Sequence, residues 1–358
     1  MNKNIFIELL VNITSNMEWI TDIYAKWDDK LSIRIHWELW FKFNNWNSEE
    51  KTMDISNVVI KEFLLENLKR FELQYVDFVK LRCFDFRYKI WDLNFRVNAS
   101  FSTWKLLLIF RIINSKIINL NNLWLDLHYL KWILNVHQWL FLVSWPTWSG
   151  KSTTLSSIVD YYNKNYNKHI LTLENPIEQI YIDNKSVIHQ LELWDDFLSF
   201  EEWMENILRQ DPDIIVIWEI RNKITLDIAL KLAETGHLVF WTIHGKWANW
   251  VIWKIIRMYN SEKQISWMLA DVLIWVLYQQ KFILKNNNTI ICLESLYNTE
   301  EVRAWLIQWK YSEFKSNMQT SYDKYMTTME QYLENYINDK YKLTWEEYVN
   351  IKNKIKWL

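Results

Sequence analysis

The stretch LFLVSWPTWSGKSTTL, residues 140–155, decides how this chain is read. An apolar run that reads as a buried strand leads through a short loop into Gly150-Lys151-Ser152-Thr153, where a helical pattern opens. The spacing is that of G-x-x-x-x-G-K-[ST], a loop whose backbone N–H groups cradle phosphate at a helix N-terminus. Two positions disagree. Trp145 stands where the first glycine belongs, and Trp148 fills another tight position. Indole occupies the space a nucleotide needs and fits positive φ poorly. Read literally, the loop Trp145-Pro146-Thr147-Trp148-Ser149-Gly150-Lys151-Ser152 is blocked.

Composition offers a resolution. At the usual share of ~7%, a chain of this length would carry about 25 glycines. This one has 3 Gly and 25 Trp among its 358 residues. The two counts look exchanged. We read most W letters as UGA codons that the source translates as glycine and a different code table renders as tryptophan. The abundance of Lys, Asn and Ile suits AT-rich coding. Residues 145–152 then become G-P-T-G-S-G-K-S, in which Lys151 reaches the β- and γ-phosphates of ATP and Ser152 ligates Mg²⁺. The alternative is a Ser/Thr helix cap beside a chance Gly-Lys-Ser.

Other bounds are plainer. The length suits two domains, and an apolar content of 50% is ample for substantial cores. A net charge of −2 gives no basic footprint for nucleic acid. Cys83 and Cys292 match no zinc or redox spacing, which fits a reducing cytoplasm. There is no secretory signal and no apolar run of about 18 residues, so any membrane contact is expected through a partner.

Along the chain, residues 4–16 read as an amphipathic helix. Alternating segments at 31–43 and 84–101 read as strands, the second turning at Trp91-Asp92. Residues 1–112 are thus expected to form a small α+β domain, followed by a polar linker over 114–123. From residue 139 apolar strands alternate with helices: 151–163, 169–173, 199–210, 213–217, 223–234 and 237–244. That alternation predicts an α/β domain with a parallel sheet over 113–298, and 299–358 reads as mostly helical.

Further segments carry chemistry. In LRQDPDIIVIWEIRN (208–222) an apolar strand delivers Glu219 at its carboxyl end, where open α/β sheets bind ligands and where a carboxylate supports a hydrated Mg²⁺. Asp211 and Asp213 there either serve the site or flank a surface turn beside Pro212. In LTLENPIEQI (171–180) Glu174 also ends an apolar strand, placed to orient or deprotonate an attacking water. In AETGHLVFWTIH (233–244) His237 and His244 bracket a strand and face opposite sides. His237 is taken with the nucleotide-contacting set, and His244, at the carboxyl end, with the catalytic one.

In order and spacing these four segments resemble the Walker A, Asp box, Walker B and His box of secretion and type IV pilus motor ATPases, nearest the retraction (twitching motility, PilT-like) branch. WITDIY (19–24), FRVNASF (95–101), EVRAWLIQWK (301–310) and MQTSYDKYMTTMEQYL (318–333) extend the resemblance over nearly the whole chain. Family glycines fall on Trp19, Trp27, Trp37, Trp124, Trp139, Trp145, Trp148, Trp194, Trp218, Trp241 and Trp309. The resemblance implies a PAS-like N-terminal domain on a RecA-like ATPase domain, assembled as a cytoplasmic homo-hexamer. It implies a nucleotide between domains and neighbouring subunits, and an inner-membrane pilus platform protein as partner. Glu174 would be the general base, Glu219 would support the metal, and His244 would sense the γ-phosphate. Arg96 and Arg111 match N-domain arginines that reach phosphate. The chain also departs from the pattern. Asn175 replaces an acid of the Asp box, Glu205 replaces an arginine and leaves Arg209 alone, and Thr103-Trp104-Lys105 stands where a middle arginine is expected. The competing expectations are a pilus-assembly or type II secretion motor, a dead hexameric scaffold if Trp145 and Trp148 are real, and a nucleic-acid translocase.

Overall fold

The structure is a computed structural model, and it describes residues 3–16, 20–26, 32–35, 38–40, 57–113, 117–120, 139–145, 151–218, 223–259, 262–285, 289–310, 313–320, 326–338 and 342–357. The chain divides into two compact units. One comprises Met1–Lys116 with Asn175–Ile180 and Glu192–Asp196, the other the remaining residues to Leu358.

The first unit opens with α1 (Lys3–Asn16), β1 (Ile20–Lys26), β2 (Ser32–Ile35) and β3 (Glu38–Trp40). It continues through α2 (Asn57–Arg70), α3 (Tyr75–Leu81), β4 (Cys83–Ile90), β5 (Leu93–Ser102) and β6 (Lys105–Ile113). The strands pair antiparallel throughout, in the order β3-β2-β1-β6-β5-β4. Strict alternation buries Phe95, Val97 and Ala99 of β5 on one face, and α1 and α2 cover that face through Phe6 and Phe63, which pack on Phe110 of β6. The segment at 31–43, expected as one strand, holds two short ones folded against each other, with Ile35 opposite Glu38. The turn at Trp91-Asp92 is where it was expected, joining Ile90 to its partner Leu93.

The second unit holds β7 (Trp139–Trp145), α4 (Lys151–Asn165), β8 (His169–Glu174), β9 (Val187–Glu192), α5 (Phe200–Arg209), β10 (Ile214–Ile217), α6 (Lys223–Glu234) and β11 (Leu238–His244). After these come α7 (Ala248–Arg257), α8 (Glu262–Val272), β12 (Leu273–Ile283), β13 (Thr289–Tyr297), α9 (Glu300–Gln308), α10 (Glu313–Thr320), α11 (Met329–Tyr332, extended by a π turn to Ile337) and α12 (Trp345–Trp357). The sheet runs β13-β12-β7-β11-β10-β8-β9. Strands β12, β7, β11, β10 and β8 are mutually parallel, as their continuous apolar runs predict, while β13 is antiparallel to β12. The mixed edge arises because a short connection from β12 to β13 cannot make a parallel crossover. Leu140, Phe141, Leu142 and Val143 are fully buried at the sheet's centre. Residues 299–358 join this core instead of standing apart: Met329, Tyr332, Leu333, Ile351 and Ile355 belong to the same apolar cluster as Phe141 and Val143.

The backbone treats several tryptophans as if they had no side chain. Trp91, Trp104, Trp139, Trp194 and Trp309 adopt φ of 51°, 66°, 101°, 76° and 61°. Trp309 closes α9 in the left-handed position, donating to the carbonyls of Leu306 and Trp305, the place where helices most often end on glycine. At Trp139 the angle lies beyond the narrow left-handed well open to side chains, in territory that glycine enters freely.

Candidate active site

The parallel strands bring their carboxyl ends to one edge of the second unit. In the register of the sheet, Leu173 lies beside Ile217, Ile217 beside Trp241 and Trp241 beside Leu142. One or more residues past that row stand Glu174 on β8, Trp218 after β10, His244 on β11 and Trp145 on β7. This is the edge where open α/β sheets bind ligands.

Trp145 ends β7, and Lys151 and Ser152 open α4, so the strand and the helix stand on either side of residues 146–150 as expected. Pro146, Thr147, Trp148, Ser149 and Gly150, with Glu219, lie outside the described residues. Thr153 is partly buried in the first turn of α4 and its carbonyl accepts from Ser157 Oγ at 2.7 Å. The 15-residue helix that Lys151 opens directs its N-terminus at this edge, an arrangement suited to anions. His244 is paired in register with Trp145 on the neighbouring strand, which sets the two backbones about 4.8 Å apart.

Glu174 is fully buried. Its Oε1 accepts from Thr172 Oγ1 at 2.7 Å and from Gln190 Nε2 at 3.0 Å. A buried carboxylate is costly unless it is hydrogen-bonded, and two donors also fix its direction. Neither partner was singled out in the sequence. Thr172 was visible in principle, two residues back on the same strand face, but Gln190 comes from β9, a strand the sequence did not announce.

His237, grouped in the sequence with the nucleotide-contacting residues, stands at the other edge of the sheet from Glu174 and His244. It precedes β11 at the amino end, roughly 20 Å along the strand from His244. There its Nδ1 lies 3.0 Å from Thr235 Oγ1 and 3.1 Å from the carbonyl of Leu232, so it closes the end of α6. Asp213 also sits at the amino end. Burial opposes its charge, but bonds from Lys168 Nζ and His169 N–H, each 2.8 Å, hold its carboxyl below the usual range. Of the two alternatives for Asp213, the structure favours the turn. Arg209 is the last residue of α5 and is exposed.

In the first unit the arginines form a row. Arg87, Arg96, Arg111 and Asp22 are successive cross-strand partners on β4, β5, β6 and β1 and share one face of the sheet. Arg111 Nε bonds the buried Asp22 Oδ1 at 2.8 Å, Arg96 pairs with Asp85 at 3.5 Å, and Arg87 pairs with Glu192 at 2.9 Å. Burial of Glu192 pushes its carboxyl up despite Arg87. Arg96 and Arg111, both singled out in the sequence, thus each meet an acid within this unit. Among the described residues no cluster of three or more His, Cys, Asp and Glu side chains could hold a metal, and no helix is long and apolar enough to cross a membrane.

Comparison with known proteins agrees with this geometry. Residues 84–308 match the type II/IV secretion system protein family. The type IV pilus retraction ATPase PilT of Pseudomonas aeruginosa is 34% identical over 238 residues, covering 66% of this chain and 69% of that protein. The twitching motility protein of Neisseria gonorrhoeae is 35% identical over 248 residues, covering 68% of this chain and 66% of that protein. A crystal structure of the pilus retraction motor PilT with bound ADP, 25% identical, matches with a TM-score of 0.78 over 95% of both chains. The Legionella pneumophila ATPase DotB, 19% identical, shares the fold with a TM-score of 0.80.

Proposed function

The chain belongs to the type II/IV secretion system protein family, and from that premise we propose that it is an ATP-hydrolysing motor, working as a homo-hexamer, that powers pilus retraction. One observation carries the reading. Lys151 opens a long helix after β7 of the parallel sheet, with His244 on the end of the adjacent β11 and Glu174 on the end of β8, three strands along the same edge. The likeness to a retraction motor with bound ADP supports the same ligand class.

In this reading the α4 N-terminus and Lys151 hold the β- and γ-phosphates of ATP, and their positive field meets the charge that spreads over the γ-phosphoryl oxygens. Glu174, aimed by Thr172 and Gln190, orients the attacking water and accepts its proton. His244 meets the γ-phosphate from the neighbouring strand. A hydroxyl from Ser152 and a carboxylate from Glu219 are the oxygen donors that suit Mg²⁺, which would supply charge neutralisation on the phosphates. Arg96 and Arg111 would contribute by leaving Asp85 and Asp22 for phosphate oxygens. Contact with the membrane would run through an inner-membrane platform protein.

The reading requires glycine at 145 and 148, which we propose the source cells insert. Its support is the exchanged Gly and Trp counts and the five tryptophans with positive φ among the described residues. Three of those five, Trp139, Trp194 and Trp309, fall on family glycines. Trp241 adds an indole N–H that is fully buried without a hydrogen-bond partner among the described residues, a cost that glycine would not carry. The test is ATP turnover by the full chain with glycine at those positions. Turnover that is lost in Lys151→Ala supports the motor. Absence of both nucleotide binding and turnover leaves the scaffold.

A further inference from the structure

Glu294 is a carboxylate in the middle of β13, in the core of the second unit, that the mechanism above does not use. It is 3% exposed. In the register of the sheet it stands opposite Tyr278 on β12, which stands beside Ser144 on β7, which stands beside Ile243 on β11. These four residues therefore share one sheet face, and Ser144 and Ile243 immediately precede Trp145 and His244. The chain leaving His244 turns back across that face. Gly245 packs so closely that an added Cβ would lie 2.6 Å from Ser144 Oγ and 2.5 Å from Val251 Cγ2. Three residues on, the first N–H of α7, from Ala248, donates to Glu294 Oε1 at 2.8 Å. From the second turn of the same helix, Lys254 Nζ reaches back to the carbonyl of His244 at 2.8 Å.

Glu294, α7 and Lys254 thus form a closed brace around residues 244–248. We propose that Glu294 is a positioning residue for hydrolysis, fixing the start of α7 so that Lys254 holds His244 at the γ-phosphate. The proposal rests on the reading of His244 given above. A carboxylate at a helix N-terminus is favoured by the helix dipole as well as by the bond itself. Burial pushes the Glu294 carboxyl up to about 7, opposed by the Ala248 N–H and by Lys315 on α10, and reinforced by Glu330 on α11. A neutral glutamine keeps an acceptor at the same place, whereas alanine removes it.

The test uses the full chain as its source translates it and follows steady-state ATP hydrolysis. Glu294→Ala should lower kcat about tenfold with KM for ATP changed less than about twofold, the pattern of a lost transition-state contact. Glu294→Gln should restore most of the rate. Lys254→Met, which opens the brace from its other end and leaves the core intact, should reproduce the alanine defect if Glu294→Ala does not fold. In a His244→Ala background neither change should cost a further factor, because residues acting as one unit are not additive. A Glu294→Ala or Lys254→Met enzyme with wild-type kcat overturns the proposal. So does a defect that adds fully to that of His244→Ala, and in that case the reading of His244 survives. If His244→Ala itself hydrolyses ATP at the normal rate, that reading fails, and the proposal with it.

Discussion

The two rims of the seven-stranded sheet spend their polar residues differently. At the amino rim, His237 binds the end of α6, Asp213 ties Lys168 to the His169 backbone, and Asn298 donates to the carbonyls of Ala270 and Leu273. These groups satisfy helix ends and turns, and the structure needs them there whatever the protein does. At the carboxyl rim the polar groups serve one another. Thr172 and Gln190 aim Glu174, Lys254 and Glu294 brace the segment after His244, and α4 presents its N-terminus. The same residue types therefore carry different meaning by rim. His237 and His244, seven positions apart at the two ends of β11, are the clearest pair.

The largest effect should come from Lys151→Ala. It should reduce hydrolysis by about two orders of magnitude or more, as removal of a group that stabilises developing charge does, while circular dichroism stays unchanged. Undiminished turnover would erase the distinction between rims. Glu174→Gln comes next. It should slow kcat by about 10²-fold or more, the range for a lost general base, and still hold ATP in a filter or fluorescence binding assay. Rapid cleavage would remove Glu174 from the base role.

A smaller effect concerns pH. The Glu294 carboxyl lies at about 7 in the fold against 4.5 unperturbed. Between those values the folded state binds more protons than the unfolded one, so this residue makes stability fall as pH rises from about 4.5 to 7 and level off above. Glu294→Gln should flatten that segment of a melting-temperature profile relative to wild type. An identical slope in both proteins would show that burial does not raise this group. The smallest effect belongs to the amino rim. His237→Ala should leave kcat unchanged and cost about 1 kcal/mol of stability, a shift of about 2 °C in Tm. A drop in kcat would place His237 back at the nucleotide.

What could be read in advance follows from how local the signal is. A parallel strand buried on both faces is a short apolar run, so residues 140–144, 169–173 and 213–217 announced themselves, as did the acid or loop at each carboxyl end. The hairpin at Trp91-Asp92 was legible for the same reason, because turn chemistry is confined to two residues. The partners were not legible. Asp22 and Arg111 are 89 positions apart, Ala248 and Glu294 are 46, and Glu174 takes one donor from a strand that alternates weakly. Only the tertiary fold makes these neighbours, and for Asp22 and Arg111 it does so through register, which is set by the whole sheet. The division into β2 and β3 was hidden because the apolar alternation of the sequence continues unbroken from Ile35 to Glu38.

The central claim is that the blocked loop of 145–152 is a working phosphate loop written with the wrong letter. The most direct test is the mass of the native peptide spanning residues 132–151, recovered from the source cells. The account predicts glycine at 145 and 148. Tryptophan at both positions would contradict it and leave a hexamer-building scaffold that binds no ATP.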